Sequence, residues 1–412
     1  MMNGGDLVSL IGSRKLYIWG SGHFGAAISA AMSRMGVALA GFIDSNMSGR
    51  EFLGYQVSAP DEILAEGKDH VFIIISAFLF VDEIAKRCDE HGFVRTKDYL
   101  THADVKPYHF EIDVAGYCNL KCLTCPRGNA PDGPTAGMMS LANYKKVIDK
   151  LVREVPLLSD VQLYSWGEPL LNPVLPEMIS YNSSLGLATA LSSNLSLPAD
   201  LESVIKAGPT WFRVSLSGAD AKTYSVIHRS GNFDLVTNNL LLLSQLRDQF
   251  APKMFVEVNY HLYKHNIEGV KKMAYLCREL GFVFRTNWAF IDPLDIIIEY
   301  EQGSPEAQEL KEGRRHLLLD IDDAIKLSQQ SNQHDCVSEN SFVIHSDLSF
   351  RRCTHLYYNQ SNILARNFLE MPLEEILRRG ENCEICRTCR KLGVHRFHFA
   401  YIGKGTELGA EI

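Results

Sequence analysis

Apolar positions along the chain repeat with two periods. Lys15 to Trp19 reads as a short buried strand, followed by a glycine-rich turn, a helix running through Met35 and a strand over residues 38–43. The run from Val71 to Val81 (VFIIISAFLFV) is about half the roughly 20 residues that a membrane helix needs, and Ser76 interrupts it. It therefore reads as a parallel strand buried on both faces, with an amphipathic helix over residues 81–91 behind it and a linker over residues 101–107. From His109 to Ile291 strand and helix patterns alternate about six times, with candidate strands at residues 109–114, 161–164, 188–192, 212–216, 255–260 and 283–288. Ser140 caps the first of these helices, in which Tyr144, Val147, Ile148 and Leu151 recur at helical spacing. A charged helical stretch is expected over residues 304–330, after which periodicity weakens.

This alternation predicts an α/β chain of three units: an N-terminal Rossmann-like domain (residues 1–103), a partial (β/α)6 barrel (104–303) and a small cysteine-bearing C-terminal module (304–412). A length of 412 residues accommodates them. Lys plus Arg number 41 against 49 Asp plus Glu, a net charge of −8, so neither a nucleic acid nor an anionic membrane is an expected partner. The first ten residues (MMNGGDLVSL) show no signal-peptide pattern, and a cytoplasmic protein is expected. Ten cysteines in such a chain read as metal chemistry rather than disulfides.

Cys118, Cys122 and Cys125 follow the first strand of the alternating region, where a strand-to-helix loop opens onto the face that carries chemistry in such folds. Three thiolates from one loop can hold three irons of a [4Fe-4S] cluster and leave the fourth without a protein ligand. A zinc site is the alternative, but it wants a fourth ligand, and His109 sits at the wrong spacing.

On this CxxxCxxC string the chain resembles the radical SAM superfamily. The resemblance implies that the open iron binds S-adenosylmethionine and that the reduced cluster cleaves it to a 5′-deoxyadenosyl radical, which takes hydrogen from substrate. It also implies S-adenosylmethionine contacts from Gly167 and Glu168 in a Gly-Glu-Pro element, from Ser193 and Asn194 after the third strand, from Ser215 after the fourth, and from Arg229. Each has a plainer reading as a turn, cap or surface residue. Thr124 stands where many members of the superfamily carry an aromatic residue.

A second group comprises Cys336, Cys353, Cys383, Cys386 and Cys389. A zinc ribbon is one reading. After a radical SAM region the arrangement resembles a twitch module, the shortened relative of the SPASM domain, which implies one auxiliary [4Fe-4S] cluster. Cys336, Cys353, Cys383 and Cys386 are then its ligands, with Cys389 surplus or substituting for Cys386.

Gly20, Gly22 and Gly25 form GxGxxG between a strand and a helix, and Asp44 ends the next strand, as in a dinucleotide site. The domain is short for a dinucleotide; a nucleotide or nucleotide-sugar handle and a purely structural unit are both open readings. His261 and Arg285 are candidate catalytic residues near the strand ends. The expected activity is hydrogen abstraction from a small molecule, a sugar or nucleotide-sugar, with oxidation through the auxiliary cluster and electrons from a flavodoxin or ferredoxin. A maturase of ribosomally made peptides and a non-catalytic iron-sulfur or zinc protein are the rival readings.

Overall fold

The computed structural model describes residues 4–77, 80–105, 108–129, 137–155, 158–304, 313–332, 336, 338–357, 359–402 and 404. The N-terminal unit is built on six strands: β1 (Lys15–Trp19), β2 (Leu39–Ile43), β3 (Glu51–Phe52), β4 (Tyr55–Ser58), β5 (Val71–Ile75) and β6 (Tyr99–Thr101), in the order β3-β4-β2-β1-β5-β6. Pairing is parallel except between β3 and β4, which form a hairpin that periodicity missed. Leu53 and Gly54 both have positive φ there, the backbone that a two-residue hairpin turn requires. Every residue of β5 is buried, as its unbroken apolar run predicts. The expected linker over residues 101–107 is corrected. Thr101 ends β6, paired with Ile75, and His102–Val105 is a short helix; residues 106 and 107 lie outside the described residues.

The larger sheet has nine strands: β7 (Tyr108–Ile112), β8 (Leu158–Gln162), β9 (Ala188–Ser193), β10 (Trp211–Ser215), β11 (Phe255–Leu262), β12 (Val283–Trp288), β13 (Ser341–Ile344), β14 (Phe350–Arg351) and β15 (Ile363–Ala365). Their order is β12-β11-β10-β9-β8-β7-β13-β14-β15, so the six strands expected from the alternation lie side by side in chain order. The second begins three residues earlier than expected, at Leu158, and Tyr164 lies beyond its end. β13 pairs in parallel with β7, Ser341 opposite His109 and Ile344 opposite Ile112. The C-terminal segment thus extends the sheet that carries the first cysteine loop.

The expected helix over residues 304–330 is also corrected. Residues 305–312 lie outside the described residues. Beyond them come a single 3-10 turn, Arg314–His316, and a helix only over Ile321–Gln330, which restarts where the Asp320 carboxylate accepts the Asp322 N–H. The helix Leu141–Glu154 is capped by Ser140 as expected, its Oγ accepting from the Asn143 N–H at 3.2 Å.

A strand period of two gives the large sheet two unlike faces. Phe110, Ile112, Val161, Leu191, Phe212 and Val258 join the helices in one apolar core. Alternate positions place Glu111, Gln162, Arg213, Glu257, Asn259 and His261 on the opposite face.

The N-terminal unit packs against the start of these strands. The helix His23–Arg34 follows the glycine motif and puts His23 Nε2 at 2.7 Å from Asp160, which His109 also meets at 2.9 Å. Phe24 lies edge-on to His109, and Trp211 contacts His23, Phe52 and Phe255. Among the described residues no helix is long and apolar enough to cross a membrane.

Candidate functional site

The loop after β7 carries Cys118, Cys122 and Cys125, and segments following four neighbouring strands hold it in place. Glu168 N–H, after β8, donates to the Tyr117 carbonyl at 2.7 Å; Asn119 donates to the Ser196 carbonyl, after β9, at 2.8 Å. Lys121 and Leu123 donate to the carbonyls of Arg229 and Ile227, after β10. Asp292 N–H, after β12, donates to the Thr124 carbonyl at 3.1 Å, and the Thr124 hydroxyl lies 2.9 Å from that of Tyr263. Burial, then the charge of Glu168, pushes Cys118 up to about 12, and burial with Cys125 and Cys118 pushes Cys122 well up. Three such sulfurs become thiolates together only with a cation among them, which is the donor chemistry that an iron-sulfur cluster needs.

Gly167 passes so close to the loop that a Cβ on it would lie 1.5 Å from the Ala115 carbonyl oxygen, so no other residue fits. Glu168 is buried and caps the turn Pro169–Leu171, accepting from Leu170 N–H at 3.1 Å and from Asn194 N–H at 2.9 Å. Burial pushes its pKa up to about 7 in spite of these donors. Asn194 donates to Asn119 Oδ1 at 3.0 Å and approaches Cys118 Sγ at 3.8 Å, while Ser193 Oγ accepts from Leu195 N–H at 3.0 Å. Gly167, Glu168, Ser193 and Asn194 are thus gathered around Cys118. Ser215 stands at the end of β10, opposite Asn259. Arg229 is exposed, and its carbonyl, bonded to Lys121, ties down the loop.

His228 is a site residue that sequence reading passed over. Its ring is buried and stacked on Tyr224 at 4.6 Å, with Nδ1 3.5 Å from Cys122 Sγ and Nε2 3.0 Å from Ser217 N. A backbone N–H can only donate, so Nε2 is the acceptor and Nδ1 carries the hydrogen, aimed at the sulfur. Burial, then the charge of His261, lowers its pKa to about 3, which keeps the ring neutral. The only sequence signal was its place beside Arg229.

His261 lies on the polar face. Asn287 donates to Asn259 Oδ1 at 2.9 Å, leaving the Asn259 amide NH2 to donate to His261 Nε2 at 3.2 Å. The neutral ring so placed presents Nδ1–H, a donor rather than a free base; burial, then Arg213, lowers its pKa to about 4. Arg285 is held by Glu257 at 2.9 Å and is 44% exposed.

The second cysteine group surrounds a small cavity of about 40 Å³. Cys336, Cys353, Cys386 and Cys389 line it together with Arg352 and Arg390. Cys383 is absent from the lining, and its thiol donates to the Ser361 carbonyl at 3.5 Å. Burial, then Cys336, pushes the Cys353 thiol up to about 12; burial, then Cys353 and Cys336, pushes Cys389 up. Clustered thiols beside arginines again suit a metal group.

The glycine motif is engaged within the fold. A Cβ on Gly25 would lie 2.1 Å from the Gly20 carbonyl, and Gly20 has φ +124°. Asp44 Oδ2 accepts from Ser21 N–H and Oγ at 3.0 and 2.7 Å. Within 4 Å, a Cβ on Gly22 would meet no described atom outside its immediate neighbours.

Residues 112–283 match the family model of the Radical SAM superfamily. The chain is 29% identical over 169 residues to the AdoMet-dependent heme synthase of Methanosarcina barkeri, covering 40% of this chain and 46% of that protein. It is 26% identical over 155 residues to the GTP 3′,8-cyclase of Chlorobaculum tepidum, covering 36% and 41%. It thus spans less than half the length of either relative. The crystal structure of Streptococcus suis SuiB bound to S-adenosylmethionine aligns at a TM-score of 0.47 and 15% identity, over 70% of each chain. The family match begins at the end of β7 and takes in the three-cysteine loop, the Gly-Glu-Pro element and His228. Within residues 112–283 the chain is thus similar to the radical SAM superfamily.

Proposed function

We propose that this chain is a radical SAM enzyme acting on a small, polar, hydroxyl-bearing molecule, a sugar or nucleotide-sugar, which it oxidises. The observation that carries the reading is the three-thiol loop, tied to the segments after β8, β9, β10 and β12, at the end of a parallel sheet whose face opposite the main apolar core carries polar side chains. When bound, a [4Fe-4S] cluster with S-adenosylmethionine supplies a hydrogen-abstracting radical at this loop, on an electron from a flavodoxin- or ferredoxin-type donor. Cys118, Cys122 and Cys125 hold the cluster, and Gly167, Glu168, Ser193, Asn194, Ser215 and Arg229 stand in or behind the adjoining cofactor space.

The polar face supplies a carboxylate at Glu111, hydrogen-bonded by Thr354 at 2.7 Å, and donors at Arg213, Asn287 and His261, a set that suits hydroxyl groups better than an apolar side chain. Cys336, Cys353, Cys386 and Cys389 are the proposed ligands of one auxiliary [4Fe-4S] cluster, with Cys383 as the surplus thiol. That cluster would accept the second electron of an alcohol oxidation. The N-terminal unit is proposed as structural, since Asp44 and His23 are spent on contacts within the fold.

The test is oxygen-free reconstitution followed by iron, sulfide and dithionite-dependent 5′-deoxyadenosine measurements, beside a Cys118/Cys122/Cys125→Ala variant. About eight irons, with about four and all cleavage lost in the variant, are expected. Zinc in place of iron, with no cleavage, would overturn the reading. A mass loss of two on a candidate sugar supports the substrate class, and turnover on peptides alone removes it.

A further inference from the structure

Asp292, His355 and His398 come from three separate places: the loop after β12, the loop after β14, and the turn Phe397–Ala400. Their ligand atoms nevertheless lie within 4.8 Å of one another, and their side chains are only 7%, 25% and 7% exposed. His398 Nε2 is 2.9 Å and His355 Nδ1 3.4 Å from the same oxygen, Asp292 Oδ1. The two imidazoles stack with centroids 3.9 Å apart and planes 24° from parallel, so both rings turn a nitrogen to one point.

Hydrogen bonding accounts for this only in part. An N–H···O bond spans about 2.7–3.2 Å, and the His355 contact is longer. Two donors each about 2.0–2.2 Å from a shared ion, at angles between octahedral and tetrahedral, lie about 2.9–3.5 Å apart, which covers both distances. His355 and His398 both line the cavity that the second cysteine group surrounds.

We propose that Asp292, His355 and His398 bind one divalent first-row cation of the Mn²⁺, Fe²⁺ or Zn²⁺ class. Two imidazoles and a carboxylate are the donor set such ions accept, and three protein ligands leave positions for water or for an oxygen of a molecule in the cavity. The Asp292 N–H bonded to Thr124 fixes this centre to the loop that carries Cys125. None of the three ligands is a thiolate.

The probe is Mn²⁺, which favours oxygen and nitrogen over sulfur donors. Full-length protein, reconstituted with iron and sulfide and washed with chelator, is titrated with Mn²⁺ while the free-ion EPR signal is followed. One Mn²⁺ per chain should leave the free pool. Asp292→Asn and His398→Gln should each weaken binding at least tenfold with iron and sulfide content unchanged, and Zn²⁺ should displace the bound ion one for one. Wild-type protein that leaves Mn²⁺ free at millimolar concentration overturns the proposal, and this arm needs no variant to fold. Undiminished binding in the folded variants overturns it equally, by placing the ion elsewhere.

Discussion

Replacing His228 by Phe keeps a flat ring against Tyr224 and removes both ring nitrogens. Ser217 N–H, buried and 3.0 Å from Nε2, loses its acceptor, at a cost of about 1–3 kcal/mol. Cys122 loses the N–H at 3.5 Å, and because hydrogen bonds to cluster sulfurs favour the reduced state, the potential of the cluster held there should fall. The ring also shapes acid stability. In the unfolded chain it takes a proton near its ordinary 6.5, but in the fold only near 3, so stability is complete above 6.5 and declines as pH drops towards 3. The decline is about 1.4 kcal/mol per pH unit from this one group, and His261 adds a similar contribution. Urea midpoints at neutral pH and near pH 5 should therefore differ less in His228→Phe than in wild type, and an EPR-monitored redox titration should give a more negative potential. An unchanged or more positive potential would refute the N–H···S assignment, whereas an unaltered acid slope would refute the neutral-ring argument.

Further outcomes follow from the packing. Gly167→Ala forces a Cβ to 1.5 Å from the Ala115 carbonyl, so the variant should bind much less iron at the first loop; full iron content in a soluble variant would contradict this. Burial works to raise the Asp160 pKa, but the charge of His23 and the hydrogen bonds of both histidines override it and hold the carboxyl below the usual range. That stabilisation is present above the ordinary carboxylate pKa and lost as pH falls below it. Asp160→Asn should cost about 2 kcal/mol and speed hydrogen exchange in the helix His23–Arg34. In a Cys118/Cys122/Cys125→Ala background, Cys389→Ala should lose the remaining iron while Cys383→Ala retains it; the reverse would restore Cys383 as ligand.

Local regularities were legible in the chain itself. The strand periods placed β7 and β9–β12 to within a few residues, because alternation and caps are set by near neighbours. The three cysteines of the first loop were legible for the same reason, since one short segment supplies all three sulfurs. Sheet order and loop convergence decided the rest, because they join residues far apart in the chain. β13 lies against β7, so the C-terminal segment continues the main sheet. His228 meets Cys122 only because the segment after β10 folds over the cysteine loop. Asp44 looked like a ribose ligand by spacing and is engaged by Ser21. Which sulfurs line the cavity is also a matter of packing, since Cys389 does and Cys383 does not, and a CxxCxxC string cannot express that. Asp292, His355 and His398 carry no spacing signal at all, for each belongs to a different segment and only packing brings them to one point.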